Sequence, residues 1–184
     1  MKIKAFINWK NYDKDGKLIS ETEHEANSFV KTFLQTVLIR LFDSITVNCI
    51  DTGGAGRNTS YLANSYVDAA ANNDDYGILV GTGANAVTIT DYALQTKIAD
   101  GAGAGQLLYG ACTVDADVSV DGSTAYFQLY RTFTNSSGGS ITIKEIGVVK
   151  YSGTYYLLLD RSLSENTIAD AASSTLTYKI SITV

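Results

Sequence analysis

Arg131-Thr132-Phe133-Thr134-Asn135-Ser136-Ser137-Gly138-Gly139-Ser140-Ile141-Thr142-Ile143 carries the pattern that decides the fold class. Phe133, Ile141 and Ile143 alternate with polar neighbours, the period of a strand with one face buried. Asn135 to Gly139 have no apolar anchor, so they predict a hairpin loop between two strands, with Phe133, Ile141 and Ile143 as core anchors. Upstream, Tyr126, Gln128 and Tyr130 share one strand face, while Phe127, Leu129 and Phe133 share the other. The same texture predicts strands over 77–81, 86–90, 106–114, 124–134, 140–150, 154–161 and 174–184. Their connectors are built from Gly and small polar residues, as in Gly81-Thr82-Gly83, Gly101 to Gly105, Asp121-Gly122 and Ser152-Gly153. Strands at this spacing indicate a sandwich or barrel. Asp91 to Ala99 is expected to form one helical turn. The last strand alternates Leu176, Tyr178, Ile180, Ile182 and Val184 with polar residues, and a terminal strand must be tied into a sheet to be ordered.

The N-terminal part adds different elements. Ile3, Ala5, Ile7 and Trp9 alternate with Lys2, Lys4, Asn8 and Lys10, Phe6 being the exception on the polar side. Asp13-Lys14-Asp15-Gly16 then turns the chain into a return strand from Lys17 to Glu23, a hairpin signal. Phe29, Val30, Phe33, Leu34, Val37, Leu38 and Leu41 form one broad helical stripe, expected to pack on a sheet. Asn27 or Ser28 can cap its start, and Arg40 suits its C-terminal end. Ile45 to Ile50 reads as a strand. Residues 51–76 read as a long surface excursion, with a short helical turn near Val67 to Ala71. The expectation is one domain over 1–184: hairpin, helix and strand in 1–50, the excursion in 51–76, and a sandwich body in 77–184. The fold class expected is mainly β, an antiparallel β-sandwich of jelly-roll type with an N-terminal β-hairpin and one amphipathic α-helix.

Composition narrows function. The chain has 184 residues, 45% hydrophobic and 18% charged, with net charge −5 and a pI near 4.7. An acidic chain without clustered Lys and Arg is a poor partner for phosphate, so no nucleic acid is expected. No apolar stretch approaches the ~20 residues of a spanning helix, and the Met1-Lys2-Ile3-Lys4 start lacks a signal core, so no membrane partner is expected. Proline is absent, so exposed sheet edges need charge, bulges or a neighbouring subunit. Cys49 and Cys112 are too few for a disulfide framework and lack metal-ligand spacing. Two buried free thiols and a single bridge between them are both open.

Catalytic chemistry finds little material. His24 is the sole histidine, in an acidic stretch read as an exposed strand-to-helix junction. Asp74-Asp75, Asp115/Asp117 and Asp160 offer carboxylates, all read as lying beside turns. Counting Asn11 as the first position of a calcium loop puts Gly16 correctly sixth, but Thr22 replaces the twelfth-position Glu, so a hairpin turn is the better reading. Gly81-Thr82-Gly83 and Gly101 to Gly105 lack the sequels of phosphate loops and read as turns. No enzyme, cofactor or metal site is therefore expected. Twelve tyrosines leave an alternative, a β-sandwich glycan-binding or adhesin module using Tyr126, Tyr130, Tyr151, Tyr155 and Tyr156. A subunit interface would use the same residues.

Several segments together resemble virion structural proteins of tailed bacterial and archaeal viruses. They are Gly77-Ile78-Leu79-Val80-Gly81-Thr82-Gly83, then Asp91-Tyr92-Ala93-Leu94 and Ile98, then Arg131 to Gly139 running into Ile141 to Val148. Leu157-Leu158-Leu159-Asp160-Arg161-Ser162-Leu163 and Leu176 to Ile180 follow. In the first half, Asp13 to Lys17, Ser28-Phe29-Val30 and Phe33-Leu34 are similar too. The resemblance is one of order and texture, excludes 51–76 and brings no catalytic residues. It implies a non-enzymatic structural subunit of a virus particle (capsid, decoration, neck or tail component), made in the host cytoplasm and resident in the virion. Its implied partners are copies of itself, as a homo-oligomer, and other virion proteins.

Overall fold

A computed structural model describes residues 2–26, 29–42, 45–60 and 65–184. The elements are β1 (Lys2–Tyr12), β2 (Leu18–Ala26), α1 (Lys31–Leu41), β3 (Val47–Ile50), β4 (Gly56–Thr59), β5 (Ser65–Tyr66) and β6 (Gly77–Gly81). There follow β7 (Leu108–Tyr109), β8 (Thr113–Val114), β9 (Ser119–Asp121), β10 (Thr124–Thr134), β11 (Ile141–Ser152), β12 (Tyr156–Ile168) and β13 (Ser173–Thr183). The chain is an antiparallel β-sandwich. Its front sheet runs β2-β1-β13-β10, and the short strands β7, β8 and β9 pair along the far edge of β10. Its back sheet is β12-β11, with β6 and β5 along the far edge of β11, and β3 with β4 makes a separate ribbon.

Period-two alternation placed most inward side chains correctly. Ala5, Ile7 and Trp9 of β1, Leu129 and Phe133 of β10, and Leu176 and Tyr178 of β13 are buried. With Ile78, Val80, Ile143, Ile146 and Leu158 from the back sheet they form one apolar cluster. Trp9 closes the gap between sheets, its indole N–H donating to Ser164 Oγ at 2.8 Å. The last strand, β13, is central in its sheet, paired with β1 on one side and β10 on the other. The N-terminal hairpin is thereby built into the front sheet through an eleven-residue register between Lys2 and Tyr12.

The turn at Asn135–Gly139 corrects the hairpin reading. β10 and β11 lie in different sheets, so the five residues make a corner. Asn135 is buried; its side-chain N–H groups donate to the carbonyls of Gly139 and Ile168, and its backbone N–H donates to Ala172 O. The chain crosses to the back sheet at this corner and returns through 169–172 to pair β13 with β10, a wrap of the kind jelly rolls are built from.

Other expectations fail for local reasons. No strand forms over 86–90, because the Thr88 N–H and hydroxyl both bind the Asp91 carboxylate, a local alternative to a ladder. Asp91 to Ala99 makes no helical turn; its Gln95 and Thr96 N–H groups donate to Glu145 instead. Val67 to Ala71 is likewise not helical. Residues 106–114 split into β7 and β8 at Gly110, where a Cβ would lie 3.0 Å from the Thr132 carbonyl. The 51–76 stretch is more than a surface excursion. β4 closes a ribbon on β3, β5 pairs with β11, and Asp51, Thr59 and Ala69 are buried, although residues 61–64 lie outside the described set.

The helix exists where its periodicity put it, and the stripe packs inward at its start, through Phe29 and Val30, but turns outward over the rest of the helix. Thr32 and Ile39, two turns apart, are its buried residues, and Ile39 packs with Cys49 and Leu157. Leu34, Val37, Leu38 and Leu41 point to solvent, as does Phe42 after them. Val30 is buried at the N-cap and supplies no side-chain cap; Asn27 and Ser28 lie outside the described residues.

Candidate functional site

Stretches around Gly81 to Gly83, Asp91 to Thr96, Glu145 to Gly147 and Leu158 to Arg161 meet at one place. Glu145 of β11 and Arg161 of β12 point to the outer side of the back sheet, beneath the loop over 82–97, and both are sealed from solvent. Arg161 Nε donates to Glu145 Oε2 at 2.7 Å, and its Nη1 donates to Asp91 Oδ2 at 2.8 Å. Glu145 also accepts the N–H groups of Gly83, Gln95 and Thr96. A Cβ on Gly81 or Gly83 would lie 2.6 or 2.4 Å from Glu145 Oε1, so both glycines make room for that carboxylate. Gly147 is flush with Leu94 and Leu158 for the same reason, each 3.0 Å from its would-be Cβ. Burial alone would raise the Asp91 carboxyl. The hydroxyl and N–H of Thr88 and the Arg161 guanidinium outweigh it, holding Asp91 below its ordinary range. This clasp pins a loop to a sheet. It has no open face for a substrate, and no sequence signal picked out Glu145 as its centre.

Arg131 makes a second sealed hub. Its guanidinium donates to the carbonyls of Gly110, Tyr76, Ile78, Ala70 and Asn73 and stacks on Tyr109, 4.7 Å from the ring centroid. It ties the irregular 70–78 segment to β10.

The groups nominated for chemistry are dispersed. His24 lies within β2 opposite Ile7, half-buried rather than at an exposed junction, and burial lowers its basicity. Asp74 pairs with Lys97 at 3.2 Å, Asp75 accepts from the Tyr156 hydroxyl, and Asp115 accepts from the Gln128 N–H and the Tyr130 hydroxyl. Asp160 is the exception to the turn reading. It sits inside β12, 1% exposed, and burial raises its carboxyl to about 6 despite a hydrogen bond from Ser162. The Tyr178 hydroxyl of the opposite sheet is near, yet neither it nor Asp160 Oδ2 completes a hydrogen bond. Lys150, beneath α1, is lowered to about 8 by burial and then by Arg40. Asp13 spends its carboxylate on the turn N–H groups of Asp15 and Lys17. Cys49 and Cys112 are free, buried thiols in separate apolar clusters. Among the described residues no three His, Cys, Asp or Glu side chains gather as metal ligands.

Three surface features remain. Tyr66, Tyr76, Tyr151 and Tyr156 form a quartet with ring centroids 5.1 to 6.1 Å apart, beside a cavity of about 220 Å³ floored by Leu79, Leu94 and Val149. Tyr155 leaves this group and joins the apolar cluster under α1. On the front sheet, Tyr126, Gln128 and Tyr130 line an open groove of about 290 Å³. The third feature is the outward apolar stripe of α1.

Comparison with protein families, curated proteins and solved structures gives no match. Two of the three differ sharply in chemistry: the helix stripe is apolar, whereas the front groove is lined by amides, hydroxyls and balanced charges.

Proposed function

We propose that this chain is a non-enzymatic structural subunit of a virus particle, working through repeated contact between copies of itself and with other virion proteins. The virion part is supported by the resemblance in the sequence. The contact part is carried by one observation: α1 turns Leu34, Val37, Leu38 and Leu41 to solvent, continued by Phe42. Monomeric proteins rarely leave such a contiguous apolar patch uncovered. A second copy is the occupant that fits, because the chain carries net charge −5 and this stripe holds no carboxylate. Two copies meeting across it bury apolar area while their acidic surfaces stay apart. The front sheet edge, β2, has its own protection in Glu21, Glu23 and Glu25, so strand pairing is not the expected contact.

Sedimentation of the wild-type chain and of the Leu38→Glu, Leu41→Glu double variant tests the contact. An oligomer that becomes a monomer with unchanged melting temperature supports it. A wild-type chain that stays monomeric at high concentration overturns it. Mass spectrometry of virus particles purified from the host culture tests the location; absence from every particle fraction overturns the virion reading.

A further inference from the structure

We propose that the outer face of the front sheet binds a neutral oligosaccharide, a function independent of the assembly contact on α1. The groove crosses four hydrogen-bonded strands. Registers place Tyr130, Thr177, Asn8 and Glu23 in one row straight across β10, β13, β1 and β2. Three strand spacings make that row about 14 Å long, the reach of a few linked sugar rings. Its chemistry is that of polyol recognition: an amide, a hydroxyl, a carboxylate and an aromatic ring on one open surface.

Two groups of this row, and one beside it, are still unspent. Among the described residues, the Thr177 hydroxyl, the Glu23 carboxylate and the neighbouring Gln128 amide make no side-chain hydrogen bond. Asn8 Nδ2 donates to Glu21 at 2.9 Å, which holds the amide in place between Thr177 and Glu23. The other two rings of the groove are engaged: Lys179 lies 5.5 Å from the Phe6 centroid and 4.9 Å from that of Tyr126. Among the described residues no ring and no cation lies on the Tyr130 face; its hydroxyl is anchored on Asp115 at 3.1 Å, so a sugar ring stacks there. Charge sets the class. Lys10 and Lys179 are balanced by Glu21 and Glu23, which gives no preference for an anionic ligand. The groove also lacks the exposed aliphatic core of a protein–protein contact, in contrast to α1.

The test is a printed array of neutral and acidic glycans, followed by calorimetry with the neutral oligosaccharide giving the strongest signal. The expected result is binding of a neutral glycan that changes little with salt and is weakened about tenfold or more by Tyr130→Ala or Asn8→Ala. Tyr130→Phe, which keeps the ring, should bind nearly as wild type, and melting temperatures check that each variant folds. No binding to any neutral glycan overturns the proposal. So does binding indifferent to these variants, or salt-sensitive binding confined to acidic glycans. Loss of self-association in the α1 double variant leaves this result untouched, so the two readings fail separately.

Discussion

Replacing Glu145 with Gln keeps the volume of the side chain and removes its charge. The native carboxylate accepts four hydrogen bonds, from Arg161 Nε and from the N–H groups of Gly83, Gln95 and Thr96, at 2.7 to 3.1 Å. Each oxygen takes two of them. A glutamine offers one oxygen and one N–H₂ group, so in either orientation a donor faces two donors. Arg161 is then left sealed, with Asp91 as its one carboxylate partner. Breaking a buried pair by removing one member costs about 3–5 kcal/mol, a large fraction of the ~5–15 kcal/mol that holds a typical domain folded. Urea unfolding followed by the fluorescence of Trp9, the single and fully buried tryptophan, measures the loss. Hydrogen exchange measures where it falls: protection should drop first over 82–97, while β13 stays protected. A double cycle with Arg161→Gln should give coupling of at least ~1 kcal/mol, within the range for neighbours. A loss under about 1 kcal/mol, with 82–97 still protected, would refute the clasp as the element that holds this loop.

Asp160 predicts an unusual pH dependence. Its folded-state value of about 6 lies above its ordinary 3.8, so the fold prefers the neutral acid. That contribution is whole below pH ~4 and is lost as pH rises through 6, about 3 kcal/mol in all. Asp160→Asn should flatten the difference between stability at pH 4.5 and pH 7.5, and an unchanged difference counts against the assignment. Gly83→Ala should destabilise nearly as much as Glu145→Gln, since its Cβ would stand where the carboxylate is; a neutral melting temperature would contradict the close approach. Both thiols should resist a thiol reagent in the folded chain and react together on unfolding. Arg131→Met should expose 70–78 to proteolysis, because five carbonyls lose their donor; unchanged resistance would show that other contacts hold that segment.

Strand faces were readable because alternation is a local property. Ile7, Trp9, Phe133, Leu176 and Tyr178 went inward, and Tyr126, Gln128 and Tyr130 went outward together, as period two required. The clasp was not readable in the same way. Glu145 looks like any polar residue on a strand, and only the fold brings both ends of the 82–97 loop, at Gly83 and Thr96, and Arg161 of β12 around it. The glycine pair Gly81 and Gly83 held a signal, but a turn explains two glycines as readily as a crowding carboxylate does.

By itself the sequence determined that this chain is a mainly-β sandwich with one helix, because burial periodicities of 2 and 3.6 are written along the backbone. Tertiary structure alone decided that Asn135–Gly139 is a corner between sheets. A polar loop has the same composition whether the chain folds back on its own sheet or crosses to the other. It also decided which side of α1 meets the protein. Periodicity shows that an apolar stripe exists but carries no information about what lies against it; the packing on β12 and β3 left that stripe in water.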